Sequence, residues 1–378
     1  MFLWVVPFVV WLGIPKDDRH SSASVNPAGA DSPDTVVLYF GGDMMGHFSM
    51  IRSAWNATER AYRYDHWFRH VRPHIESADW ACANLEVTLA GAPYSGYPQF
   101  SSPDAFAAGL KNAGFDLLIT ANNHSQDRGR RGLERTIRVL DSLGVPHTGT
   151  FRDPLERSTH YPYLTEVSGV RLAVLNATYG TNGLVVQKPN IVNAIDTARM
   201  RLDLVAARKA GAQFIVVTLH WGLEYQRQES AQQMQLARWL ASRGADAVIG
   251  MHPHVVQPMK VIRDPRDSTR RVPVAFSLGN YISNQREQYR DGGIAVVLRL
   301  VVADGTVRWS SWGYLPIWCD AGGKPAGFYP IPVRTFERDS SAMGLTPADQ
   351  AKLRQFGRDT RELLKDVTEA DPADIRKP

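Results

Sequence analysis

The chain has 378 residues, 44% of them apolar, a formal charge of +5 and two cysteines. That apolar fraction supports a large core, and the distant pair Cys82 and Cys319 excludes a small-domain disulfide framework or a Cys-x-x-Cys site. Lysines and arginines are scattered rather than blocked, and neither P-loop nor zinc-finger spacing occurs, so no nucleic-acid partner is expected.

Residues 1–14 are apolar, 15–19 polar, and 21–34 rich in Ser, Pro, Gly and Ala. The apolar run is shorter than the roughly 20 residues a membrane-crossing helix needs. It has the character of the hydrophobic region of an export signal, although a basic start and a lipobox cysteine are missing. A cell-envelope protein, exported or membrane-anchored, is therefore expected. A disordered apolar tail on a cytoplasmic enzyme is the competing reading.

The folded body is expected at 35–335. Residues 35–40 are β-branched and aromatic, as in a central strand, and run into Gly41-Gly42-Asp43. A helix is expected at 64–71, stopped by Pro73. The short apolar stretch 80–83 stops at Asn84-Leu85-Glu86. A helix over 102–112 leads to the strand-like Leu117-Leu118-Ile119-Thr120, which breaks into Asn122-Asn123-His124-Ser125-Gln126-Asp127. A second helix follows at 130–143.

The middle repeats this grammar. Residues 163–167 and 171–176 read as a hairpin, 195–209 as a helix, and 214–219 as a strand ending on His220-Trp221-Gly222-Leu223-Glu224-Tyr225. Helix 231–242 precedes strand 247–250 and Met251-His252-Pro253-His254. Strands are expected at 272–278, 294–302 and 307–312, the last two as an antiparallel pair extending a second sheet. A charged helix at 347–367, with Thr346 as N-cap and Pro347 at its first position, belongs to a C-terminal extension over 336–378, frayed from 371.

Asp43, Glu86, Asn123, His220, His252 and His254 thus all fall at strand ends, the edge where open α/β sheets build their sites. Singly, each has a bland explanation as a turn residue or a solvent-facing histidine. Together the carboxylates, amide and imidazoles suit one or two divalent ions such as Mn, Fe or Zn rather than an all-oxygen Ca or Mg cage. The His-x-His alternation, if extended, points both rings to one side. His124, beside Asn123, is placed to move a proton. Arg128, Arg130 and Arg131 open the next helix, where an anion is favoured; a solvated basic face explains them equally well. Glu224 and Tyr225 are candidates for substrate contact or for packing, and Ser277-Leu278-Gly279-Asn280 for a structural turn.

Gly42-Asp43-Met44-Met45, Asn84-Leu85-Glu86, the 121–129 turn, His220 to Tyr225, the 244–258 segment and the 277–281 segment resemble, in order and spacing, the signature blocks of the CapA family. That family is linked to poly-γ-glutamate capsule synthesis and lies in the calcineurin-like metallophosphoesterase superfamily. The resemblance spans about residues 36–285. It implies a four-layer α/β/β/α sandwich of the metallophosphoesterase type, with Asp43, Glu86, Asn123, His220, His252 and His254 as metal ligands and His124 as the acid. It further implies a hydrolase acting on a phosphoester or a polyglutamate amide. The alternative is a non-catalytic envelope component that binds an anionic polymer during capsule assembly or export, beside capsule synthase components at the membrane. Two departures stand out. Met45 occupies the place of a ligand histidine, with His47 able to substitute only if the turn bends. Ser125 follows His124 where a carboxylate is usual, leaving Asp127 to orient the histidine.

Overall fold

Strands whose two faces are both apolar, such as 214–219, must be covered on both sides, and the fold does this by stacking two sheets between helices. The computed structural model describes residues 35–322 and 327–371, so the export segment expected within 1–34 and nearly all of the stretch expected to fray from 371 lie outside the described residues.

The first sheet has the strand order Phe328–Pro332, Thr306–Ala321, Gly292–Ala303, Thr35–Met44, Trp80–Leu85, Leu117–Ile119 and His147–Thr148, with Asn280–Ile282 beside Thr35–Met44. Its Thr35 to Thr148 half is parallel, and the Gly292–Ala303 strand runs antiparallel to Thr35–Met44. The second sheet has the order Met259–Arg263, Arg271–Ala275, Ala247–Met251, Phe214–His220, Val170–Thr178 and Tyr163–Val167, parallel across its four central strands.

The period-two alternation of strands explains the layering. Leu172, Val174, Phe214, Val216, Ala247 and Ile249 enter the core shared with the first sheet. Their neighbours Ala173, Leu175, Ile215, Val217 and Val248 pack instead on Met200, Leu204 and Ala207 of helix Thr197–Lys209 and Leu240 of helix Ala231–Ser242. Helices Asp104–Asn112 and Gly129–Leu143 add Phe106, Leu110 and Leu140 to the core of the first sheet. Each fully buried aliphatic side chain in these layers contributes roughly 1.5–3 kcal/mol. The result is the expected α/β/β/α sandwich.

Two local expectations are corrected. Residues 64–71 do not form a helix ended by Pro73: a 3-10 turn, Asp65–Phe68, is followed by a helix, Arg72–Glu76, with Pro73 in its first turn, where the missing N–H costs nothing. The strands expected at 294–302 and 307–312 form the antiparallel pair expected, but they join the first sheet rather than a second, because Gly292–Ala303 also pairs with the opening strand on its other edge. The helix Pro347–Leu363, capped by Thr346, packs on Thr306–Ala321.

Candidate metal centre

The carboxyl ends of the central strands of both sheets open onto the same gap. Asp43 is the penultimate residue of its strand, Glu86 lies one residue past Leu85, and Asn123 in the turn after Ile119. His220 is the last residue of its strand and shares the face of Phe214 and Val216, so its ring points toward the first sheet. His252 and His254 follow Met251. All six are buried. The site lies on the seam, with Asp43, Glu86 and Asn123 supplied by one sheet and the three histidines by the other.

His252 and His254 do not converge by strand alternation, as expected from their spacing. Their φ angles are 104° and 56°, so the chain has already left the extended form and turns both rings inward. Such backbone is costly for side chains bearing a Cβ and persists where its surroundings enforce it. Gly42 supplies the close approach on the other side. A Cβ there would come within 2.2 Å of the Gly279 carbonyl, and the Asp43 N–H donates to that same carbonyl at 3.0 Å.

The six side chains are in mutual reach. Glu86 Oε1 lies 3.5 Å from His220 Nε2 and 3.7 Å from His254 Nε2. Asp43 Oδ2 lies 3.4 Å from His254 Nδ1, and His220 Nε2 donates to Asn123 Oδ1 at 2.9 Å. Asp43, Glu86 and His220 form one group able to hold an ion, and Glu86, His252 and His254 a second; each has its ligand atoms within 4.8 Å of one another. Glu86 is common to both, the position a carboxylate bridging two ions would take.

Electrostatics favours a cation here. Burial, then the neighbouring Asp43, pushes the Glu86 carboxyl well above its ordinary range. Burial and the surrounding imidazoles push His220 well below, and His252 down to about 3. Among the described residues, Glu86 Oε1 and His252 Nδ1 are buried without a hydrogen-bond partner. Unprotonated imidazoles beside two carboxylates with orphaned ligand atoms suit a divalent ion, which satisfies both at once.

His124 stands beside this set rather than in it. Its Nδ1 lies 2.8 Å from Asp127 Oδ2, which also accepts the Phe100 N–H at 2.7 Å. Phe100 packs edge-on against the ring at 4.6 Å between centroids. Asp127 thus holds the imidazole with Nε2 available, a positioning role reached through Nδ1. Met45 is buried. His47 stands at the N-cap position of the helix Phe48–Ser53 without a side-chain capping bond; its Nδ1 accepts instead from Asn284 N at 3.2 Å, and it belongs to neither ligand group.

A cleft of about 380 Å³ reaches the centre, lined by His47, Tyr97, His124, Glu224, Tyr225, His254, Arg286 and Arg290, among others. Glu224 and Tyr225 therefore flank the site. Arg128 turns elsewhere, donating to Ser95 Oγ at 2.7 Å and Pro93 O at 3.2 Å, while Arg130 pairs with Glu134 on its own helix.

Four contributors were not singled out from the sequence. Asn84 Nδ2 donates to Asp43 Oδ1 at 2.8 Å and lies 3.3 Å from both Glu86 Oε2 and His220 Nδ1. Asn280, read as part of a structural turn, accepts at Oδ1 from His254 Nδ1 at 3.1 Å, fixing that ring. Tyr179 lies over His252 at 4.5 Å between centroids. Arg290 lines the cleft. A polar residue inside the strand 80–85 was the available signal for Asn84; the others had none within their own segments.

Known proteins add the following. Residues 37–285 match the family described as bacterial capsule synthesis protein PGA_cap. The "Capsule biosynthesis protein CapA" of Bacillus anthracis is 28% identical over 331 residues, covering 80% of this chain and 76% of that protein. The "PGA biosynthesis protein CapA" of Bacillus subtilis (strain 168) is 27% identical over 263 residues, covering 67% of this chain and 65% of that protein. Among solved structures, the calcineurin-like phosphoesterase YfkN of Bacillus subtilis aligns with a TM-score of 0.44 and 12% identity, over 88% of this chain and 100% of that one. The NAD nucleotidase (NadN) of Haemophilus influenzae aligns with a TM-score of 0.48 and 12% identity, over 91% and 66%.

Proposed function

The chain belongs to the bacterial capsule synthesis protein family, and we propose that within capsule biosynthesis it is a metal-dependent hydrolase of an anionic polymer or ester, poly-γ-glutamate or a phosphoester. The observation that carries this reading is the pair of ligand groups sharing Glu86, with a carboxylate-oriented histidine beside them.

Asp43, Glu86, Asn123, His220, His252 and His254 would hold one or two ions of the Mn, Fe or Zn type. When bound, such an ion supplies Lewis acidity, polarising a phosphoryl or carbonyl oxygen and acidifying water. The chain's own groups do the rest. Asp127 accepts a hydrogen bond from the Nδ1–H of His124 and so supports the doubly protonated ring, whose Nε2–H would pass its proton to a departing oxygen or nitrogen, leaving the neutral imidazole. Asn280 holds His254 through Nδ1, which leaves Nε2 facing Glu86. Phe100 and the buried turn 121–127 keep bulk water from the His124 to Asp127 bond.

The test is metal content of purified protein together with turnover of a generic phosphodiester and of poly-γ-glutamate, in wild type and His124→Ala. Bound divalent metal, and turnover that His124→Ala lowers, support the hydrolase. Bound metal with equal turnover in both forms removes His124 as the acid, and bound metal with no turnover in either form favours instead an envelope component that binds the polymer without cutting it. Among the described residues no helix is long and apolar enough to cross a membrane; an envelope location is proposed from the apolar run 1–14 and the family's capsule role.

A further inference from the structure

We propose that Arg290, its guanidinium set over the ring of Tyr225, binds an anionic group of the substrate, a carboxylate or a phosphate set back from the bond that is cut, and thereby selects anionic substrates. The inference rests on the hydrolase reading of the same cleft.

Arg290 and Arg286 both line the cleft, but they are differently committed. Arg286 spends its guanidinium on backbone carbonyls, with Nη1 on Cys319 O at 2.6 Å, Nε on Gln285 O at 2.8 Å and Nη2 on Asp291 O at 3.3 Å. Arg290 instead stacks its guanidinium carbon 3.5 Å from the centre of the Tyr225 ring. Its carboxylate neighbour, Glu287, stands 3.9 Å away, too far for a hydrogen bond. A guanidinium stacked on an aromatic face keeps its edge donors pointing outward in one plane, the geometry that takes a carboxylate or phosphate in two parallel hydrogen bonds.

Both partners are tied by their backbones to the histidine segment. The Arg290 carbonyl accepts from Asn280 Nδ2 at 2.8 Å, and the same amide's Oδ1 holds His254. The Tyr225 N–H donates at 2.8 Å to the carbonyl of Pro253, between the two histidines. Tyr225 has a φ of 65°, left-handed backbone that favours glycine. That strain is retained where it holds the ring under Arg290 and beside His254, 6.2 Å away between centroids. The cation is thereby placed at a fixed offset from the candidate ligands, where it can read charge without touching the reacting atoms.

Isothermal titration of the metal-loaded protein with glutarate and, separately, with inorganic phosphate tests this, using wild type, Arg290→Gln, Arg290→Lys and, as a charge control, Arg201→Gln on the exposed face of helix Thr197–Lys209. The expected result is binding of at least one anion by wild type and Arg201→Gln, at least tenfold weaker binding by Arg290→Gln, and an intermediate value for Arg290→Lys. The arm that responds names carboxylate or phosphate as the group read. Equal affinity in wild type and Arg290→Gln, or no binding of either anion by wild type, overturns the assignment. Loss of binding in Arg290→Gln with no turnover by any form removes the hydrolase and keeps the anion site. Turnover whose KM is unchanged by Arg290→Gln does the reverse.

Discussion

Asp127 Oδ2 receives two N–H groups at once, the Nδ1 of His124 at 2.8 Å and the backbone of Phe100 at 2.7 Å, so one carboxylate sets both the tautomer of the histidine and the loop that packs on its ring. Asp127→Asn replaces a charged acceptor with a neutral amide, removing the negative charge that supports the doubly protonated ring from which Nε2 gives up its proton. Activity on a generic phosphodiester is expected to fall roughly 10- to 100-fold, the usual effect of losing such a partner, with metal content kept. Unchanged kcat in a protein that still binds metal removes Asp127 from the mechanism.

Glu86 is shared by both ligand groups and has a buried oxygen without a partner among the described residues. Glu86→Gln removes a buried acid whose ionised form needs a cation beside it and whose neutral form must take up a proton. Chelator-treated Glu86→Gln is therefore expected to be about 1–3 kcal/mol more stable than chelator-treated wild type, and to gain far less on adding Mn or Zn. Urea unfolding with and without metal reads both. A variant less stable without metal than wild type contradicts this account of the site.

Asn280 fixes His254 through Nδ1. Asn280→Ala leaves that ring free to turn and is expected to weaken the affinity for one ion roughly 10- to 100-fold, seen as lowered metal stoichiometry after dialysis against a weak chelator. Full retention of both ions means that packing alone holds the imidazole.

His74, buried in helix Arg72–Glu76 beside Thr335, is pushed from 6.5 to about 4, chiefly by burial and then by Arg338. The unfolded chain takes up a proton near 6.5 while the folded chain refuses it until about 4, so this stability is complete above pH 6.5 and is lost as pH falls toward 4. The loss is roughly 3 kcal/mol at most. His74→Gln should flatten the decline of the urea midpoint between pH 7 and 5. Parallel declines in the two proteins acquit His74, leaving His47 and His70, which burial also pushes to about 4, and the site histidines His220 and His252.

Much of the centre was legible because apolar runs stop abruptly at polar residues: Ile119 before the 121–127 turn, Leu219 before His220, Met251 before His252. Strand ends are local events, and a sheet gathers them. What was not legible is non-local. Asn280 supports His254 from 26 residues away and Asn84 meets His220 from 136 away, distances at which neither periodicity nor spacing carries information. Arg128 was a reasonable anion site by its place at a helix start; the loop at Ser95 claims it, a contact 33 residues off. The turn at His252 and His254 was hidden because positive φ in a non-glycine residue is imposed by surroundings, not signalled by sequence.

The ligand set is divided evenly by the seam, three side chains from each slab of the sandwich. A bound ion would accordingly act as a rivet through two plates. Stripping it would loosen the plates at one end while leaving the apolar layers behind it clasped.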